Sequence, residues 1–177
     1  MLEEFRKSAP ESLAPRAFNI AQPSETILAN GLRLIVFEDK RFPLVSLRLI
    51  FLAGDAYDSA DAVGLTSSMA SMLTEGTENY SSRSLAEEVE RLGASLGASS
   101  GSDNSRVSAS CLTPYLSDMM RLLSEVVLKP TFPQNELDLY KANTIEGLKF
   151  QRSQASFLAA EQVSRIIYGE HPYSIAS

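Results

Sequence analysis

The sequence predicts an α+β domain, a mainly antiparallel sheet covered on one side by helices, and three observations carry that prediction. Strand-like runs fill most of the first half of the chain and helical runs the second. The early runs are joined by short turns that suit hairpins, not by the long crossovers that parallel strands need. Hydrophobic residues make up 44% of the 177, enough to bury one proper core.

Residues 1–23, with Pro10, Pro15 and Pro23, read as an extended arm ahead of the fold, which then occupies 24–177. Ser24 to Ala29 and Leu32 to Glu38 flank Asn30-Gly31, the strongest short hairpin signal. A third strand, Leu44 to Leu52, follows Pro43 and is closed by Ala53-Gly54-Asp55. The alternation of Leu32, Ile35 and Phe37, and of Val45, Leu47, Leu49 and Phe51, implies a sheet with at least one packed face. Asp61 is the expected N-cap of a helix from Ala62 to Thr74, with Gly76 as its C-cap. On that helix Leu65, Met69, Met72 and Leu73 form one expected buried stripe. A second helix, Ser84 to Leu92, ends at Gly93. Strands Ala94 to Ser100 and Arg106 to Leu112 follow, joined by the polar turn Gly101 to Ser105. Three helices complete the chain: Pro114 to Leu128, Gln134 to Gln154 and Ser156 to Tyr168. Pro130 and Pro133 separate the first two, because neither tolerates a continuing helix. There is no internal repeat and no low-complexity segment.

Charge narrows the partners. A net charge of −6 repels phosphate, which argues against binding nucleic acid or an anionic membrane surface. No stretch approaches the roughly 20 apolar residues that span a bilayer. Met1 to Arg16 has no apolar central block and does not read as a signal peptide, and the compartment stays open between bacterial periplasm and cytoplasm. The single cysteine, Cys111, lies in an alternating apolar run and reads as a small core residue without a disulfide partner.

Side chains that suit chemistry are few. There is no Gly-rich phosphate loop, no Gly-x-Ser-x-Gly elbow and no cysteine-histidine cluster. Glu87, Glu88 and Glu90 share a helix whose Leu85, Val89 and Leu92 point inward, so they read as solvated charges. Asp55, Asp58 and Asp61 lack the glycine-centred loop and terminal glutamate of a calcium hand and read as a capped loop. His171, the only histidine, follows Gly169 and precedes Pro172, which is a turn.

Leu28-Ala29-Asn30-Gly31-Leu32-Arg33-Leu34-Ile35, then Pro43-Leu44-Val45-Ser46-Leu47 and Ala53-Gly54, resemble the opening sheet of the pitrilysin-type M16 zinc metallopeptidases. Gly64 to Thr77 is similar to the helix in which active members carry the inverted zinc motif His-x-x-Glu-His. Leu85 to Ala94, Leu128 to Phe132 and Tyr168-Gly169-Glu170-His171-Pro172-Tyr173 are similar to later landmarks of the family, so the resemblance covers about residues 24 to 174. It implies the first domain of the LuxS/MPP-like metallopeptidase fold. The chain ends before such a domain would normally finish, and full family subunits carry two.

In that alignment Ser67 and Ser71 stand at the two histidine positions and Ala70 at the catalytic glutamate. The third zinc ligand falls at Gly147, and a further acidic position at Tyr140. Glu146 is adjacent to the ligand position but about 100° away around a helix. A hydrolytic zinc site needs three imidazole, carboxylate or thiolate ligands and a carboxylate that takes a proton from the bound water. Hydroxyls are poor zinc ligands, and alanine and glycine offer no donor. Zinc, the family's cofactor, is therefore not expected here, and the chain is expected to be inactive. The resemblance implies pairing with a zinc-bearing M16 subunit or self-association, and enclosure of unfolded peptide. The alternatives are a structural or assembly subunit that binds no peptide, and a hydrolase with relocated chemistry, for which the serines lack a histidine or lysine partner in the sequence.

Overall fold

A computed structural model of the protein describes residues 22–174. The chain divides into two compact units, Met1–Phe42 and Pro43–Ser177. The predicted arm falls mostly on 1–21, outside the described residues; Gln22 and Pro23 are exposed and carry no regular structure.

In the first unit, strand β1 (Ser24–Ile27) pairs antiparallel with β2 (Arg33–Val36), Ser24 opposite Val36 and Ile27 opposite Arg33. The Asn30-Gly31 signal makes the turn. Gly31 adopts φ 84°, a left-handed conformation that glycine enters without a Cβ penalty, and the Asn30 side chain accepts a hydrogen bond from the Leu32 N–H. The expected packed face is absent from this hairpin, since all eight strand residues are exposed. These strands form a two-stranded sheet of their own, and a lone hairpin is too small to bury its own apolar residues.

The second unit opens with β3 (Leu44–Phe51), followed by α1 (Leu65–Met72), α2 (Ser82–Arg91), β4 (Ser95–Ser100) and β5 (Ser105–Leu112). Helices α3 (Leu116–Leu128), α4 (Gln134–Arg152) and α5 (Ala155–Tyr168) complete it. The sheet order is β3-β5-β4, antiparallel throughout, with Leu47 and Leu96 both opposite Ala109. Strand period two therefore puts Leu47, Leu49, Leu96, Ala98, Val107, Ala109 and Cys111 on one face. That face meets Leu85 and Leu92 of the α2 region and Met119, Leu122 and Val126 of α3, and together they form the core. The reverse face carries Ser46, Arg48, Ser95, Ser99, Arg106, Ser108 and Ser110. A sheet with helices on one side is what the sequence predicts. Cys111 is buried, and burial pushes its thiol pKa up.

Local signals explain the helix ends. Ser81 caps α2 through a capping box with Ser84, so the helix starts at Ser82 and not at Ser84. A single 3₁₀ turn, Thr113–Tyr115, takes up Pro114 before α3 begins. The proline-rich break after α3 pairs Thr77 with Pro130, and the Thr131 N–H donates to the Gly76 carbonyl. Gly76 is thus a bridge residue and not the predicted helix cap. Its missing side chain is required there, since a Cβ would stand 2.7 Å from the Pro133 ring. Helices α4 and α5 pack on each other and bury no residue completely. No helix among the described residues is long and apolar enough to cross a membrane.

The contrast between helices sets a stability test. Leu122 is fully buried on α3, whereas Leu139 on α4 is 56% exposed. Leu122→Ala is expected to cost about 2–5 kcal/mol in urea unfolding and Leu139→Ala within about 0.5 kcal/mol. Equal losses would place α4 in the same cooperative core as α3.

Candidate functional site

Helix α1 carries the motif positions, and the loop before it decides how the helix begins. Its N-cap is Gly64, at φ 82°, which supplies no side-chain oxygen. The Asp58 carboxylate caps the helix from within that loop, accepting from the Thr66 N–H at 3.2 Å and from the Thr66 hydroxyl. Asp61, the predicted cap, lies too early, because its neighbours Ala62 to Gly64 form a turn instead of a first helical turn. Burial alone pushes the Asp58 carboxyl up. Hydrogen bonds from the Thr66 hydroxyl and N–H, and from the Gly64 and Leu65 N–H groups, outweigh that, so its pKa lies below the ordinary value.

The buried side of α1 also differs from the predicted stripe. Met72 is buried as predicted, but Leu65 is 61% exposed and Met69 lies at the surface. Ala70 is buried instead, and α1 packs on β4 and β5. A helix lying close on small-residue strands turns its own small side chains toward them, which rotates the larger apolar ones outward.

Both serine hydroxyls at the motif positions are engaged within the protein. The Ser67 hydroxyl lies 2.8 Å from both oxygens of Asp55 and donates to that carboxylate. The Ser71 hydroxyl donates to the Ser67 carbonyl one turn back at 2.9 Å, a common way for serine to satisfy itself inside a helix. Ala70, between them, presents a methyl group to the packed interior. The other two positions lie on α4: Tyr140 is half-buried, and Gly147 is exposed with open space where a Cβ would project. Glu146, the neighbouring carboxylate, pairs with Lys149 at 2.6 Å.

Asp55 is the centre of this region, and the sequence reading did not single it out as a partner of Ser67. Its N–H donates to the Gly101 carbonyl and that of Ala56 to the Ser102 carbonyl, which ties the loop after β3 to the β4–β5 turn. Gly54 makes this possible: a Cβ there would stand 2.3 Å from the Gly101 oxygen. The Ser100 hydroxyl reaches Asp55 at 3.4 Å, and the buried Ser105 hydroxyl donates to the Ala53 carbonyl at 2.7 Å. The Tyr173 phenol donates to Asp103 on the same turn, and that bond raises its pKa. His171 makes the turn expected of it, its N–H bonded to the Tyr168 carbonyl and its Nδ1 accepting from the Tyr173 N–H. The one clue in the sequence was the Asp55-x-x-Asp58 pair shortly before Thr66-Ser67, where carboxylates meet hydroxyls at a helix start.

These residues do not fit a zinc ion. Ser67 is committed to Asp55, Ser71 to its own helix, and Ala70 and Gly147 carry no donor atom. Among the described residues no three histidine, cysteine, aspartate or glutamate side chains gather closely enough to hold a metal. Glu87 and Glu88 are surface charges paired with Arg83 and Arg91.

Comparison with known proteins agrees with this architecture. The profile of the family described as Insulinase (Peptidase family M16) matches residues 34–176. A solved structure described as the peptidase M16 inactive domain from Pseudomonas fluorescens superposes with a TM-score of 0.82 at 31% identity, covering 88% of this chain and 38% of that one. The chain is 22% identical over 144 residues to a Helicobacter pylori protein named Non-peptidase homolog YmxG, covering 81% of this chain and 33% of that protein. It is 26% identical over 147 residues to the mitochondrial-processing peptidase subunit alpha of Solanum tuberosum, covering 81% of this chain and 28% of that protein. The chain thus spans about a third or less of the length of these curated relatives.

Two variants test the region. Ser67→Ala removes the hydroxyl donor from the half-buried Asp55 and is expected to lower stability by about 1–2 kcal/mol in chemical denaturation. An unchanged midpoint would mean that water replaces the serine at no cost. Asp58→Ala removes the helix cap and is expected to cost about 1 kcal/mol at pH 7. A carboxyl whose folded pKa is depressed contributes stability above its unfolded pKa and loses it as pH falls through the folded value. The gap between wild type and Asp58→Ala should therefore begin to narrow as pH falls below about 4 and go on narrowing as the folded carboxyl takes up its proton. A gap that widens on acidification would overturn the carboxylate cap.

Proposed function

The chain belongs to the insulinase family, peptidase family M16, and from that premise we propose that it is a catalytically silent member, binding no zinc and hydrolysing no peptide. Its role in this reading is to supply a peptide-contacting wall to a chamber completed by a zinc-bearing M16 subunit. The observation that carries the reading is the state of α1. A helix stands where the resemblance puts the zinc motif, and its hydroxyls are engaged in internal hydrogen bonds to Asp55 and to the Ser67 carbonyl. The names of the relatives support it: one is an inactive domain, one a non-peptidase homologue and one the alpha subunit of the mitochondrial-processing peptidase.

Peptide contact needs no catalytic residue. An unfolded segment can add to a sheet edge through backbone hydrogen bonds. Of the two edges, β3 and β4, the second is favoured. Among the described residues β4 pairs with β5 alone, its sequence Ser-Leu-Gly-Ala-Ser-Ser offers little bulk against an incoming strand, and α1 packs beside it.

The test uses the full chain. After incubation with zinc and dialysis, elemental analysis is expected to find well under one zinc per chain, and mass spectrometry no cleavage of unfolded peptides. Those peptides should nonetheless bind in fluorescence anisotropy, and methylation of alternate peptide nitrogens should abolish binding. Stoichiometric zinc or hydrolysis would overturn the silent reading. Intact inactivity without any peptide binding would replace it with the structural-subunit alternative.

A further inference from the structure

Beside the free edge of β4 lies a cleft of about 310 Å³, lined among others by Glu75, Leu85, Val89, Glu90, Ser95 and Leu96. Its floor is apolar. Leu85 is 3% exposed, and Val89 and Leu96 are half-buried against the core. Its rim is acidic. Glu75 accepts the Ser82 hydroxyl at 2.7 Å on one oxygen, leaving the other without a hydrogen bond among the described residues. The Glu90 carboxylate has no ion pair or hydrogen bond among the described residues, whereas its neighbours Glu87 and Glu88 are paired with arginines. Among the described residues no arginine or lysine lines the cleft.

We propose that this cleft receives the side chain of a lysine or arginine from an extended peptide lying along β4. The fit follows from the two halves of such a side chain. Its methylene stem covers the apolar floor, and its cationic head reaches two carboxylates that have no cation of their own. A purely apolar side chain would leave both carboxylates facing it, and an acidic one would be repelled. Geometry supplies the path. Ser95 and Leu96 belong both to the cleft and to the edge strand, so a strand added there carries alternate side chains past the opening. The inference deepens the silent-wall reading and rests on its claim that peptide binds at β4. It adds a preference for basic segments.

The experiment is an anisotropy series on the full chain with labelled ten-residue peptides of serine, threonine and alanine. Each peptide carries one central lysine, arginine, Nε-acetyl-lysine, leucine or glutamate. Lysine and arginine are expected to bind about tenfold tighter than acetyl-lysine, which keeps the stem and loses the charge. Glu90→Gln and Glu75→Gln, folded as judged by circular dichroism, should shrink that ratio toward one while leaving the leucine peptide unchanged. The wild-type series alone decides if either variant fails to fold. Equal affinity for lysine and acetyl-lysine, or a preference untouched in Glu90→Gln, overturns the cleft and leaves peptide binding standing. Failure of every peptide to bind overturns both.

Discussion

Strand β5 is the constraint on which the rest of the second unit depends. Among the described residues it is the one strand with a neighbour on both sides, and buried residues alternate with half-buried or exposed ones along its whole length. Val107, Ala109 and Cys111 commit one face to the interior, and pairing then commits Leu47, Leu49, Leu96 and Ala98 to the same face. A slip of one residue would turn that set to solvent and bring Arg106, Ser108 and Ser110 inward. Helix α3 answers with Met119, Leu122 and Val126, all fully buried and spaced to lie along one side of a helix. Small residues on β4 and β5 let α1 lie close, and that approach fixes where Ser67 can point.

The region around Ser67 is held by polar contacts. Asp55 sits between α1 and the β4–β5 turn, accepting from a hydroxyl on one side while its backbone N–H serves the other. A half-buried carboxylate in such a position is costly unless its oxygens have partners. Ser67 and Ser100 provide them, and Gly54 lets the two backbones approach. The same end of the sheet receives the Tyr173–Asp103 bond, so the late Gly-Glu-His-Pro-Tyr segment is tied to the β4–β5 turn on which the Asp55 loop also closes. Cross-linking of this kind does what a bound ion does elsewhere: it joins segments far apart in sequence without a large apolar contact.

Much of this was legible in the sequence because it rests on short-range chemistry. Asn30-Gly31 produces its hairpin, alternation marks β3 and β5, and prolines 130 and 133 separate α3 from α4. The misses have long-range causes. Asp61 stands where a cap is expected by local rule, yet the loop folds so that Asp58, farther back, reaches Thr66. Periodicity on α1 selects Leu65 and Met69, whereas close approach to the sheet selects Ala70. Nothing local tells an apolar hairpin whether a second layer covers it. The motif positions themselves were readable as residue types, but their hydrogen-bond partners were not, because Asp55 meets Ser67 only after the loop has closed on the β4–β5 turn.

The distance of α1 from an active zinc helix can be weighed position by position. Ser71 is exposed and Gly147 has open space, so larger side chains could stand at both. Ser67 is different: a histidine there would remove the hydroxyl that donates to Asp55, and only an imidazole N–H reaching the same carboxylate could replace it. Ala70 is the harder obstacle. It is 1% exposed, and a glutamate would force a longer, charged side chain into a packed contact. A zinc motif on this helix is therefore opposed above all at Ala70, by packing that now stabilises the fold.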